Sequence, residues 1–273
     1  MPSIPLLLEE TVAQTRRVYE SPSLVWKDEQ VEATDLAKFE QEAVVTTQFD
    51  PRGLKRGVWE LYNKGKMRLD CRGCSLARVV AILPKGLKIP EESWGRIFQM
   101  FGPPKQGPHG RWNIYWFGAE APRCFPEDGA LLAAEHLNGG YTTICSTEGI
   151  FIYRLEEATR VLIHELLHAA CLDPAGTIPV REATVETWAE VILVAVRSRG
   201  LTTAAGRLWK LQTQWVADTN DRAENKHDVD GEHDYAWRYM NGRAAVYQSL
   251  GLALPAPKRH PKSSRFTHPD LGN

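Results

Sequence analysis

No apolar run in this chain approaches the roughly 20 residues that a bilayer-spanning helix needs, and the densest stretch, 191–196, is only long enough to be a helix core. The first residues lack a basic start, and their apolar run is too short for a secretory signal. The expectation is an intracellular protein, cytoplasmic or nuclear, with no membrane partner. Charge of one sign is also missing: 33 Lys and Arg against 34 Asp and Glu leave a net −1. There is thus no overall pull toward nucleic acid or anionic lipid. Cysteine is scarce, five residues, and odd in number; with no secretion signal, reduced thiols are expected. Cys71 and Cys74 form one close pair, but no second pair exists to complete a four-ligand knuckle, and a strand rather than a helix is expected to follow. The acids of the polar segment 218–234 do not match calcium-loop spacing, so it reads as a solvated loop.

What is present is an ordinary globular composition, 273 residues of which 43% are hydrophobic, with nine Trp. That length suits one large domain or one and a half. The densest chemistry lies in Val161-Leu162-Ile163-His164-Glu165-Leu166-Leu167-His168-Ala169. Four residues of helix advance about 6 Å and return to nearly the same face. Both imidazoles can therefore reach one metal ion, with Glu165 beside them. The flanks read as one helix from Glu156 to Leu172, with no Pro or Gly before Pro174. Zinc suits the set, because it accepts neutral imidazole nitrogen and a three-ligand site leaves a place for water. Glu165 would act as the general base on that water rather than as a ligand.

A second helix should start near Pro179 and run to Val196, after the Pro/Gly turn 173–179. The two helices would be antiparallel neighbours. Glu186 lies at the depth of the His pair, Glu182 about a turn too shallow and Glu190 about a turn too deep.

His164-Glu165-x-x-His168 followed by Glu186-x-x-Ala189-Glu190 resembles the gluzincin metallopeptidases, of which the thermolysin-like enzymes are the familiar members. The resemblance covers about residues 141–196 and implies Glu186 as the third zinc ligand, with Glu190 as the acid that fixes the tautomer of a ligand histidine. The interval from His168 to Glu186 is shorter than in thermolysin-like enzymes, which keeps Glu182 as an alternative ligand. Such enzymes often steady the oxyanion with a His or Tyr from the C-terminal part, and His233, Tyr235 and Tyr239 are placed for that role. Either strand of the expected hairpin, 141–146 and 150–154, would serve as the platform for an extended peptide.

The expected fold is α+β and zincin-like: a small mixed sheet over the active-site helix, with a C-terminal helical subdomain. Residues 1–48 would flank a catalytic domain at 49–254, with its sheet part at 76–153, active-site helices at 155–197 and C-terminal helices at 203–250. The scattered basic residues of 51–70 read as a solvated face. Residues 255–273, rich in Pro, Lys and Arg, would form a disordered basic tail, the only part suited to nucleic acid. The leading function is a zinc-dependent metallopeptidase with one Zn2+ per chain and a protein or peptide substrate. The alternatives are a non-catalytic zincin-scaffold binding module with a structural zinc, and a thiol enzyme using Cys145 or Cys171.

Overall fold

In a computed structural model the chain is mixed α+β, and the structure describes residues 4–47, 50–105, 110–127, 130–224 and 235–272. The described residues form one six-stranded sheet and nine α-helices. None of these helices is long and apolar enough to cross a membrane. The chain divides into two units, each built from separate stretches of sequence: Pro22–Pro122 with Asn138–Leu172, and Met1–Ser21 with Arg123–Leu137 and Asp173–Asn273.

The first of these holds the whole sheet. Its strands are β1 (Lys27–Asp28), β2 (Met67–Gly73), β3 (Ala77–Pro84), β4 (Trp112–Phe117), β5 (Gly140–Thr142) and β6 (Ile150–Ile152), in the order β1-β2-β3-β4-β6-β5. β3, β4 and β6 run parallel, and the outer pairings are antiparallel. Side chains alternate between the two faces of a strand. On one face Val80, Ile82, Tyr115 and Phe117 pack with Phe39 and Val58, which come from α2 (Ala33–Val44) and α3 (Leu54–Asn63). On the other, Trp116 of β4 meets Trp94 of α4 (Glu91–Phe101) with ring centroids 5.1 Å apart. Trp94 Nε1 also donates to Thr159 Oγ1 of α6 (Ala158–Ala169) at 3.1 Å. Burial on both faces explains why β3 and β4 read as unbroken apolar runs.

Two elements escape the sequence reading. Segment 51–70, expected as a solvated basic face, supplies α3 and most of β2. Lys55 is buried there, donating to Glu42 Oε2 at 2.8 Å and Tyr141 Oη at 2.9 Å. A lysine is a poor marker of exposure once a carboxylate and a phenol meet it inside. Asp35 is another buried charge. Arg78 grips it with both nitrogens, at 2.8 and 2.6 Å, and Tyr115 donates its hydroxyl at 3.3 Å.

The expectation of reduced thiols fails at two positions. Sγ of Cys145 and Sγ of Cys171 are bonded at 2.13 Å. The cause is local: the backbone N–H groups of Cys145 and Cys171 both donate to the His168 carbonyl, at 3.0 and 3.1 Å. One shared acceptor brings the two Cα atoms to 4.6 Å, within bridging range. The bond also removes both nucleophiles from the thiol-enzyme alternative. Cys71 and Cys74 stay reduced and buried, and Cys124 reduced and exposed. Burial pushes the Cys71 thiol up to about 11, so it is no nucleophile near neutrality.

The second unit is helical: α1 (Leu6–Glu20), α5 (Ala134–Leu137), α7 (Ile178–Arg197), α8 (Thr202–Glu224) and α9 (Tyr235–Ser249). α1, α8 and α9 all pack on α7. α1 docks at the C-terminal end of α7 through Tyr19 Oη on the Val196 carbonyl, 3.1 Å, and Arg16 Nε on the Gly200 carbonyl, 3.1 Å. Gly200, at φ +71°, has Arg16 backbone atoms where a Cβ would sit, 2.4 Å away, so only glycine closes this contact. α8 continues to Glu224 through the start of the expected loop, because Asp218, Thr219 and Asn220 are buried and bonded. The rest of that loop, 225–234, lies outside the described residues.

The stretch 255–272, expected as a disordered tail, is bonded along α8: 255–260 are exposed, whereas Ser264, Phe266, Thr267 and Leu271 are buried. Polar side chains of α8 serve its backbone: Gln214 donates to the Ala256 carbonyl at 3.0 Å, Trp215 to Arg265 at 2.9 Å and Gln212 to Phe266 at 2.9 Å. Asp218 accepts from the Lys258 N–H at 2.7 Å. Composition signals disorder only when the backbone has no partner but water, and here α8 provides one.

Two outcomes follow. Phe266, fully buried, meets the Tyr239 ring at a tilt, centroids 5.1 Å apart, so Phe266→Ala should lower stability by about 3–5 kcal/mol in a urea titration. Burial raises the Asp35 carboxyl, but bonds from Arg78 and the Glu32 N–H, with the Arg78 charge, hold it below its ordinary 3.8. A depressed value stabilises the fold above that pH and is lost as pH falls through it. The urea-midpoint gap between wild type and Asp35→Asn should therefore be widest at about pH 6 and shrink on acidification below about pH 4.

Candidate metal centre

α6 follows β6 after a short turn in which Glu157 takes the left-handed conformation, φ 61°. Every residue from Ala158 to Ala169 is buried. Val161, Leu162, Ile163, Leu166 and Leu167 supply the apolar surface that holds it there. Within this helix His164 and His168 are each 5% exposed, and their Nε2 atoms stand 3.0 Å apart with ring planes at 72°. Two nitrogens each about 2.0–2.1 Å from one tetrahedral ion sit about 3.3–3.4 Å from each other. The imidazole pair therefore fits a shared zinc to within a few tenths of an ångström.

Glu165 is equally buried. β5 crosses close above it: a Cβ added to Gly140 would lie 3.2 Å from Glu165 Oε1, 2.5 Å from Val161 Cγ1 and 2.7 Å from the Phe151 carbonyl. Gly140 is thus glycine because strand backbone and helix approach too closely for a side chain. Together His164, Glu165, His168 and Gly140 place two imidazole nitrogens, one carboxylate and a strand backbone within one compact unit.

In the helical unit the three acids of α7 differ. Glu182 is half-buried, whereas Glu186 and Glu190 are fully buried. Glu186 and Glu190, four apart, face a stripe on α9 made by Tyr239, Arg243 and Tyr247, also four apart. Tyr239 Oη donates to Glu186 Oε1. Arg243 Nη1 donates to Glu190 Oε1, and Tyr247 Oη to Glu190 Oε2 at 2.5 Å. All five guanidinium N–H groups of Arg243 find acceptors, the others being Met240 and Phe266 carbonyls, Thr219 Oγ1 and Asn220 Oδ1 at 2.9–3.3 Å. Ala183 and Gly242 permit the close crossing, since a Cβ on Gly242 would sit 2.9 Å from that of Ala183. Burial pushes the Glu190 carboxyl up, while Arg243 and Tyr247 pull it back. Burial and then the Glu190 charge push Tyr247 well above its ordinary value, so it remains a donor.

These bonds depart from the expected roles. Glu190, expected to orient a ligand histidine, gives its two oxygens to Arg243 and Tyr247. Tyr239, a candidate oxyanion donor, bonds Glu186 instead. His233 and the side chain of Tyr235 lie outside the described residues. Arg243 went unnoticed in the sequence, although Tyr239, Arg243 and Tyr247 share helical spacing opposite an acid pair of the same period.

No protein-family model matches the chain, and neither the curated proteins nor the solved structures compared with it include a match.

Removing one partner of a fully buried ion pair strands the other charge. Arg243→Ala should therefore cost about 3–5 kcal/mol by urea unfolding, whereas a paired Arg243→Met, Glu190→Leu replacement should recover most of that loss.

Proposed function

We propose that the protein is a zinc-dependent metallopeptidase with a zincin-like fold of the gluzincin type, acting on protein or peptide substrates. The convergence of His164 and His168 Nε2, 3.0 Å apart on a buried helix with Glu165 between them in sequence, carries this reading. Two buried imidazoles aimed at one point, with a buried acid alongside, are a costly arrangement for a helix with only a packing role.

The two histidines would hold a single zinc, with a glutamate carboxylate as the third ligand that the gluzincin resemblance implies. Glu186 has the expected depth, and its carboxylate is braced by Tyr239. Glu182 is the alternative third ligand. A bound zinc supplies Lewis acidity toward a carbonyl oxygen and toward water. Glu165 takes the proton from the attacking water and returns it to the leaving amine. β5 is the outermost strand of the sheet, and its open edge beside Gly140 offers main-chain donors and acceptors to an extended substrate. Burial of α6 keeps bulk water from screening the reacting charges.

The test is Glu165→Gln. It should retain one zinc per chain by elemental analysis and lose about 10²–10⁴-fold in cleavage of a peptide library. Full turnover in that variant, or a purified wild-type protein that binds no zinc when supplied with it, would overturn the reading. Zinc retained without any cleavage in wild type would favour the binding-module alternative.

A further inference from the structure

The last turn of a helix leaves carbonyls without intrahelical donors. In α6 the His168 carbonyl accepts from the Cys171 N–H just beyond the helix and, from outside it, from the Cys145 N–H in the loop between β5 and β6. The Cys145–Cys171 bond locks that capping loop to the residue just beyond the helix. The bridge spans 26 residues that include β6 and all of α6, hence His164, Glu165 and His168. Both cysteines have φ of 59°, a left-handed conformation that residues with a side chain seldom adopt. With the bond open, only the two N–H bonds to the His168 carbonyl hold the residues there. Both cysteines are also exposed, whereas the reduced pair Cys71 and Cys74 is buried. An exposed bridge is the kind that soluble thiols exchange with most readily.

We infer that Cys145–Cys171 is a reversible thiol–disulfide site that clamps the His168 end of α6, so that reduction by a dithiol loosens the histidine pair. In the first step a dithiol thiolate attacks one cysteine sulfur, breaking the Sγ–Sγ bond, forming a mixed disulfide and releasing the other cysteine as a thiolate. The reductant's second thiolate then attacks its own bonded sulfur and leaves as a cyclic disulfide, releasing the remaining cysteine. Two electrons pass from dithiol to bridge, and the two cysteine thiolates take up the two protons that the dithiol gave up. In the oxidised state the loop, its cap and the His168 turn move as one body. In the reduced state the cap competes with water.

The consequence for metal affinity rests on the zinc reading, but the clamp itself does not. The experiment uses the full chain, air-oxidised or treated with dithiothreitol. Alkylation after denaturation should label three cysteines in the oxidised protein and five in the reduced one. Amide exchange across 167–172 should speed up on reduction by about tenfold or more, with α8 unchanged. The dissociation constant for zinc, from competition with a chromophoric chelator, should rise roughly 10–100-fold. A Cys145→Ser, Cys171→Ser variant should match the reduced protein whether or not dithiothreitol is present. If the variant does not fold, reduced wild type carries the comparison alone. Five labelled cysteines in the air-oxidised protein, or exchange across 167–172 that reduction leaves unchanged, overturns the proposal. Zinc bound equally in both states overturns its effect on the metal. Zinc absent from both states, with the exchange response intact, overturns the metallopeptidase reading and leaves the clamp standing.

Discussion

A helix buried around its whole circumference leaves its polar side chains no water to turn to. This constraint governs both α6 and the inner two-thirds of α7, and each unit is arranged to meet it. In α6 the two imidazoles turn to each other, and the surrounding strands, loops and α4 close over the remainder. In α7 the acids turn to α9, whose Tyr-Arg-Tyr stripe matches their four-residue period. Polar groups placed this way specify a register more sharply than apolar packing does. A one-residue slip of α9 against α7 would leave Glu190 and Arg243 unpaired in a dry interior.

Much of this was legible in the sequence, because the signals were periodic. The His164–His168 helix, the α7 helix with its acid ladder and the strands at 77–84 and 112–117 all follow from hydrophobic period and Pro/Gly punctuation. What the sequence concealed was of another kind. Lys55 in the core, Arg243 at the centre of the helical unit and Phe266 in a Pro-rich basic stretch are residues whose burial depends on partners far away in sequence. Local pattern reads such positions as surface, since it cannot see the carboxylate or carbonyl that satisfies them. The Cys145–Cys171 bond was hidden for the same reason: nothing in either local sequence shows that both amides share one carbonyl.

Within the candidate site, His164, Glu165 and His168 lie on a single helix, and these are the residues that motif spacing alone could supply. The groups packed around it come from loop and strand, through Gly140 and the Cys145 amide. They were visible only as isolated turn residues. The supporting layer around a reactive helix is built by tertiary approach, and it is there that the structure adds most to the sequence.

The docking of α1 on the far end of α7 has a consequence for biosynthesis. Arg16 and Gly200, which bond across that contact, are 184 positions apart. At roughly 5–20 residues per second, a ribosome takes about 10–40 s to deliver the second after the first. For that interval the apolar stripe of α1, with Leu8 and Val12, has no native cover while the sheet-bearing unit is still being synthesised. Until α7 emerges, α1 therefore depends on something other than its native partner to keep that stripe from water.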